Sequence, residues 1–175
     1  MEATRAWLGG WIDALILALS PMDVLFILAA AVVISLSKHA GMWIYALVAL
    51  PGTLAHELAH FLVALLLGAR PAFPSLLPVR TERGWRLGSV SFRVGRLRAM
   101  PIALAPLLLL PVALCWAAAF LRSASWPMYC AHAWITAALL QASLPSRTDL
   151  KLATPALVLL ALLLAAAAVI VWLMR

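Results

Sequence analysis

Charge is what this chain has least of. Only 11% of its 175 residues are Asp, Glu, Lys or Arg, and 66% are hydrophobic. At a mean hydropathy of +1.07, a soluble domain of this length could not hide so much apolar surface. Composition therefore points to an integral membrane protein. Cysteine is scarce as well. Cys115 and Cys130 lie in or near apolar segments and fit no zinc-finger spacing, so they read as small hydrophobes rather than a disulfide. No internal repeat is visible, and no PDZ or nucleotide-binding regulatory domain fits within the length.

The formal charge of +7 invites a nucleic-acid reading, but its distribution argues against one. Arg70, Arg80, Arg83, Arg86, Arg93, Arg96 and Arg98 crowd into one stretch between apolar segments. That clustering fits the positive-inside rule and contact with anionic lipid headgroups. No nucleic-acid partner is expected.

Against this background stands His56-Glu57-Leu58-Ala59-His60, in the middle of an apolar run from Met42 to Gly68. On a helix the two histidines fall on one face one turn apart, so both imidazoles can reach a single metal ion. Glu57 sits beside that face, close enough to take a proton from water. An accidental match in a chain this poor in His and Glu is expected on the order of once in a thousand such chains. The bland alternative is polar residues packed in a bundle. Ionisable groups at lipid depth are costly, however, and are usually functional.

The hydropathy pattern predicts an all-α polytopic membrane protein, one domain over residues 1–175, with about five transmembrane helices. The expected spans are Pro21–Ser37, Met42–Gly68, Ala99–Leu121, Pro127–Ser143 and Leu152–Met174. Residues 7–19 either extend the first span or lie on the membrane surface. Ser20-Pro21-Met22-Asp23 reads as a helix start, with Asp23 in the first turn. Pro51-Gly52-Thr53 should break or kink the second span just before His56. Pro101, Pro106 and Pro111 should make the third span irregular. Residues 70–98 form the one sizeable extramembrane piece: a basic β-hairpin or edge strand from Trp85 to Val94, with a turn at Thr81–Gly84 and a bulge at Gly88-Ser89. With that loop cytoplasmic, the histidine pair lies about 12–18 Å up its helix from Gly68, in the inner half of the membrane.

A catalytic zinc commonly takes three protein ligands, so one more is owed. Residues 61–69 offer none. Asp149 and His132 are the main candidates, with Asp13 and Asp23 at the wrong end of the chain's polarity or at a cap. Asp149 is favoured because it shares the predicted side of the membrane with the histidines. Its mundane reading is a cap of the last helix or a partner of Arg147 or Lys151.

Together these features resemble the site-2 protease family of intramembrane zinc metallopeptidases, in a short bacterial-type form. The resemblance covers residues 42–152 and rests on the His56–His60 motif inside a span, the β element after it, and an acidic residue in a proline-containing turn before a later span. It implies a multi-pass protein of a bacterial inner membrane with the 70–98 loop cytoplasmic. It implies one zinc ion held by His56, His60 and Asp149, with Glu57 as the base. It also implies that a membrane-protein substrate unwinds against the strand, placing Trp85, Val90 and Phe92 near it. The chain departs from the family's Asn-Pro…Asp-Gly pattern: Pro145-Ser146 precedes Asp149, Leu150 follows it, and no asparagine occurs anywhere. Substrate positioning by that residue is lost or moved to Ser146 or Gln141. Three rival readings stand beside a protease: a non-proteolytic scaffold or regulator retaining a zinc site, a zinc hydrolase with a non-peptide substrate, and a metal-ion or small-solute transporter.

Overall fold

The computed structural model describes residues 19–81, 84–122 and 124–173. Residues 7–18, Asp13 among them, and Glu82 and Arg83 of the expected turn lie outside that set. The fold is mostly helical with one two-stranded sheet.

Helix α1 (Pro21–Ala40) starts as its sequence predicts. Ser20 caps it, with the Asp23 N–H donating to Ser20 Oγ at 3.2 Å and the Ser20 N–H donating back to Asp23 Oδ2 at 2.7 Å. Gly41, at φ +125°, turns the chain into α2 (Met42–Val48) and α3 (Leu50–Leu66), which meet at a 71° bend. The break falls at Ala49, ahead of the expected Pro51-Gly52-Thr53. Pro51 occupies the first turn of α3, where its missing N–H breaks no helical bond. Gly52 serves packing instead. A Cβ there would collide with the backbone carbonyl of Ala138 and lie 3.1 Å from the Ala142 Cβ, so α3 meets its neighbour backbone to backbone.

Helix α3 ends in a Schellman motif. The Ala69 N–H donates to Ala64 O at 2.8 Å, the Gly68 N–H donates to Leu65 O at 3.0 Å, and Gly68 supplies the left-handed φ of +68°. The chain then doubles back as a ribbon. Strands β1 (Val79–Thr81) and β2 (Gly84–Arg86) pair antiparallel, with Val79 opposite Arg86 and Thr81 opposite Gly84. The expected strand to Val94 is therefore much shorter. Beyond Arg86 only an isolated Ser75–Ser89 bridge and an Ala72 N–H to Ser91 O bond continue the pairing. A one-residue slip does occur near Gly88, but the extra residue is on the other strand. Residues 76–78 oppose Leu87 and Gly88, and Pro78 has no N–H to offer a ladder.

The third expected span is broken by its prolines into α4 (Arg96–Ala103), a 3-10 turn (Ala105–Leu108) and α5 (Leu109–Phe120). Helix α6 (Trp126–Ala142) is the centre of the fold, packing against α1, α3 and α5, and α7 (Arg147–Leu173) packs against α4. Alanine dominates the buried positions: Ala117 of α5 and Ala133, Ala137 and Ala138 of α6 share one cluster, with Ile27 and Ile34 reaching in from α1. Larger apolar side chains point outward, among them Leu28, Val33 and Leu36 of α1. Among the described residues one helix, α1, is long and apolar enough to cross a membrane, and the bent α2–α3 pair counts as a second if it forms one span. Five full-length spans are not seen among the described residues. Prolines divide the third expected span and the bend at Ala49 divides the second, whereas α7 runs unbroken for 27 residues and starts at Arg147, ahead of the expected Leu152.

The Gly52 contact sets two effects against each other. Alanine gains about 1 kcal/mol of helix propensity over glycine, whereas overpacking against a fixed backbone carbonyl costs about 1–3 kcal/mol. The carbonyl cannot rotate away as a side chain would, so Gly52→Ala is expected to lower the thermal unfolding midpoint in detergent.

Candidate metal centre

His56 and His60 share one face of α3, as their spacing dictates, and α7 brings Asp149 to them. His56 Nε2 lies 3.5 Å from Asp149 Oδ2, His60 Nε2 lies 3.4 Å from Asp149 Oδ1, and the two Nε2 atoms are 3.2 Å apart. Of the three candidates among the described residues, Asp149, His132 and Asp23, it is Asp149 that lies at this place. His132 stacks on Phe120 with Trp116 close by. Asp23 accepts from Tyr129 OH at the start of α1.

The remaining ring nitrogens decide what the cluster can do. His56 Nδ1–H donates to Ala142 O at 2.7 Å, and His60 Nδ1–H donates to Ile102 O at 2.7 Å. A neutral imidazole with its proton on Nδ1 has its lone pair on Nε2, so both lone pairs face the Asp149 carboxylate. Three acceptors converging on one point repel unless a cation lies among them. A single proton bridges two of them at most; a metal ion satisfies all three. Backbone anchoring of the far nitrogen is also how metal-binding histidines are commonly held. His56, His60 and Asp149 thus form a group that can hold a metal ion.

Two prolines make those carbonyls available. The ordinary helical partner of Ile102 O is the N–H of residue 106, and residue 106 is proline. The ordinary partner of Ala142 O is the N–H of residue 146, but Pro145 ends the helix and the Ser146 N–H turns to Asp149 Oδ2 at 2.7 Å instead. Both histidines thereby anchor on carbonyls that lack their usual partner four residues on.

Asp149 is a capping residue as well as a member of the cluster. Its N–H donates to Ser146 Oγ at 3.2 Å, which closes a capping box with Ser146 as the N-cap and Asp149 at the third position. Neither Arg147 nor Lys151 pairs with it; its ion partners among the described residues are the two histidines.

Glu57 is buried beside the cluster, three residues from His60 on the same helix. Gly88 lies over it: a Cβ at Gly88 would come within 2.6 Å of Glu57 Oε1. The ribbon that was expected outside the membrane thus reaches the level of the site. Phe92 and Val94 pack beside Ala64, Ala69 and Ile102, next to the site. Val90 is half-buried, whereas Trp85 is exposed on the ribbon tip. Gln141 faces away, donating to Ala31 O on α1 at 2.7 Å. Sequence reading gave Gly88 to a bulge and Gly52 to a helix break; the close contacts of both, and both carbonyls, it missed. The Ile102 carbonyl was readable, because a proline four residues on announces it. Comparison with protein-family models, curated proteins and solved structures returns no match.

The two roles of Asp149 can be separated. Asp149→Asn keeps an acceptor for the cap but removes the charge, and should abolish measurable binding of one divalent ion in a competition titration with a chromophoric chelator. Ser146→Ala leaves the carboxylate but releases its support, and should weaken affinity by about 10–100-fold.

Proposed function

We propose that this chain is an intramembrane zinc metallopeptidase of the site-2 protease type, cleaving a peptide bond in or near a transmembrane segment of another protein. One observation carries the reading: a buried glutamate lies next to two backbone-anchored histidines and an aspartate that converge on one point. The bulky apolar surface and alanine-rich interior support a lipid setting, since membrane helices pack through small residues and leave their large ones to lipid. On this reading the broken pieces belong to about five spans, because interrupted helices are tolerated at membrane depth where protein covers them. The arginine-rich ribbon faces the cytoplasm and anionic headgroups of a bacterial inner membrane.

Zinc is favoured by the spacing of the donors. Tetrahedral bonds of 2.0–2.1 Å put ligand atoms about 3.3–3.4 Å apart, whereas an octahedral site with the same bonds puts neighbours about 2.8–3.0 Å apart. The observed separations of 3.2, 3.4 and 3.5 Å match the tetrahedron. When bound, zinc supplies a Lewis acid that polarises the scissile carbonyl and makes water nucleophilic near neutral pH.

The chain's own residues then do the following. His56, His60 and Asp149 hold the ion, and their backbone and capping bonds keep them from turning away. Glu57 Oε1 accepts a proton from the attacking water as its oxygen bonds to the carbonyl carbon. The same oxygen returns that proton to the amide nitrogen as the C–N bond breaks, giving a carboxylic acid and an amine. The ribbon over Glu57 keeps bulk water from the pair and offers backbone to an extended segment of substrate.

Glu57→Gln preserves shape and removes the base. Purified protein should retain one zinc per chain while losing about 10²–10⁴-fold in cleavage rate of a membrane-inserted substrate. Zinc retention with undiminished cleavage would sink the proposal; metal binding by a wild type that cleaves nothing would select a non-proteolytic scaffold.

A further inference from the structure

Away from the metal centre, a cavity of about 450 Å³ lies at the start of α6, where α1 begins and α5 has just ended. Tyr129 stands there and Ala142 borders the metal site, so about 20 Å of helix separates the two places. Asp23, Phe26, Arg122, Trp126 and Tyr129 are among the residues lining the cavity. Its aromatic wall is compact: Phe26 meets Trp126 and Tyr129 edge-on at 5.3 and 5.4 Å, and the latter two stack at 5.8 Å. Asp23 is 6% exposed; its Oδ2 accepts from the Ser20 N–H and Oγ–H, and its Oδ1 accepts from Tyr129 OH. All three donors are neutral, and Oδ1 has room for a further one. Arg122 lines the same cavity, yet among the described residues neither charge forms an ion pair. Capping accounts for the Ser20 bonds, and the end of α5 favours a cation at Arg122. Neither accounts for a buried carboxylate held across an open space from a guanidinium.

We propose that this cavity holds the headgroup of a zwitterionic phospholipid, with its primary ammonium on Asp23 and its phosphate on Arg122. The ammonium donates to Oδ1 and lies against the aromatic rings, whose faces attract cations. The phosphate meets the Arg122 guanidinium beside the start of α6. There the Ser125 side chain makes no capping bond, so the positive end of the helix is left to an anion. A zwitterion is matched at both ends of the cavity, whereas an anionic lipid leaves the Asp23 charge unanswered. Met22 lines the cavity and Leu25 follows it on the same face of α1, both more than half exposed. Acyl chains thus have an apolar track beside the headgroup, which favours a lipid over free phosphoethanolamine. The inference goes beyond the hydrolase reading: it needs a bilayer but not the peptidase chemistry. With the ribbon cytoplasmic, the cavity opens to the outer leaflet.

The test adds an equimolar mixture of phosphatidylethanolamine and phosphatidylglycerol, with identical acyl chains, to the full chain in a neutral detergent. Native mass spectrometry then counts the lipid retained, and circular dichroism checks that each variant is folded. Wild type should retain phosphatidylethanolamine about tenfold more than phosphatidylglycerol. Asp23→Asn should abolish this preference, because the phosphate contact is common to both lipids. Arg122→Gln, at an exposed position, should lower retention of both lipids about tenfold, and it carries the test alone if Asp23→Asn fails to fold. Chain-free glycerophosphoethanolamine at the same concentration should displace little of the bound lipid. Equal retention of the two lipids by wild type, a preference that survives Asp23→Asn, or retention unchanged by Arg122→Gln overturns the inference. So does full displacement by glycerophosphoethanolamine, which would assign the cavity to a soluble zwitterion.

Discussion

Two hydrogen bonds, from the Nδ1–H groups of His56 and His60 to the carbonyls of Ala142 and Ile102, hold this structure's centre together. They tie α3 to the end of α6 on one side and to α4 on the other. Each uses an acceptor left free by a proline, so they displace no helical bond. Their second effect is chemical: they place the ring protons outward and leave both Nε2 lone pairs aimed inward. The Gly52–Ala138 approach is a precondition, because without it α3 stands too far from α6 for His56 to reach Ala142.

The capping box at the start of α7 does comparable work for the carboxylate. A capping aspartate normally spends its oxygens on backbone N–H groups near water. Here the Ser146 N–H takes part of Oδ2, and both oxygens still face the histidines. Helix initiation therefore fixes the direction of the third donor. The same Ser-x-x-Asp box opens α1, but its aspartate meets Tyr129 in place of histidines and holds no part of the metal site. Identical local chemistry acquires different roles from what the tertiary fold sets opposite it.

The ribbon joins the basic region to the site. Its regular pairing stops at Arg86, and the next residues leave the ladder to lie over Glu57. Glycine at position 88 matters through proximity rather than backbone dihedral, since a side chain there would displace the Glu57 carboxylate. Burial of Glu57 follows, and with it a local dielectric in which a single proton transfer carries more weight than it does in water.

Much was legible in the residues alone. The His56–His60 spacing on a helix, Glu57 beside it, the Ser20 cap and the irregular third segment all follow from local rules: helix periodicity, capping chemistry and proline's missing N–H. Local rules put Asp149 in a turn after Pro145, whereas the last helix begins at Arg147 and holds it in its first turn. What they could not supply was distance between parts far apart in the chain. That α7 carries Asp149 to the histidines, that the break falls at Ala49, that the ribbon's extra residue sits opposite Gly88, and that Ile102 and Ala142 anchor the rings depend on contacts spanning tens of residues. Such contacts are settled by how alanine faces and glycine notches fit together across helices. A sequence shows the face of each helix; only the packed fold decides which faces meet.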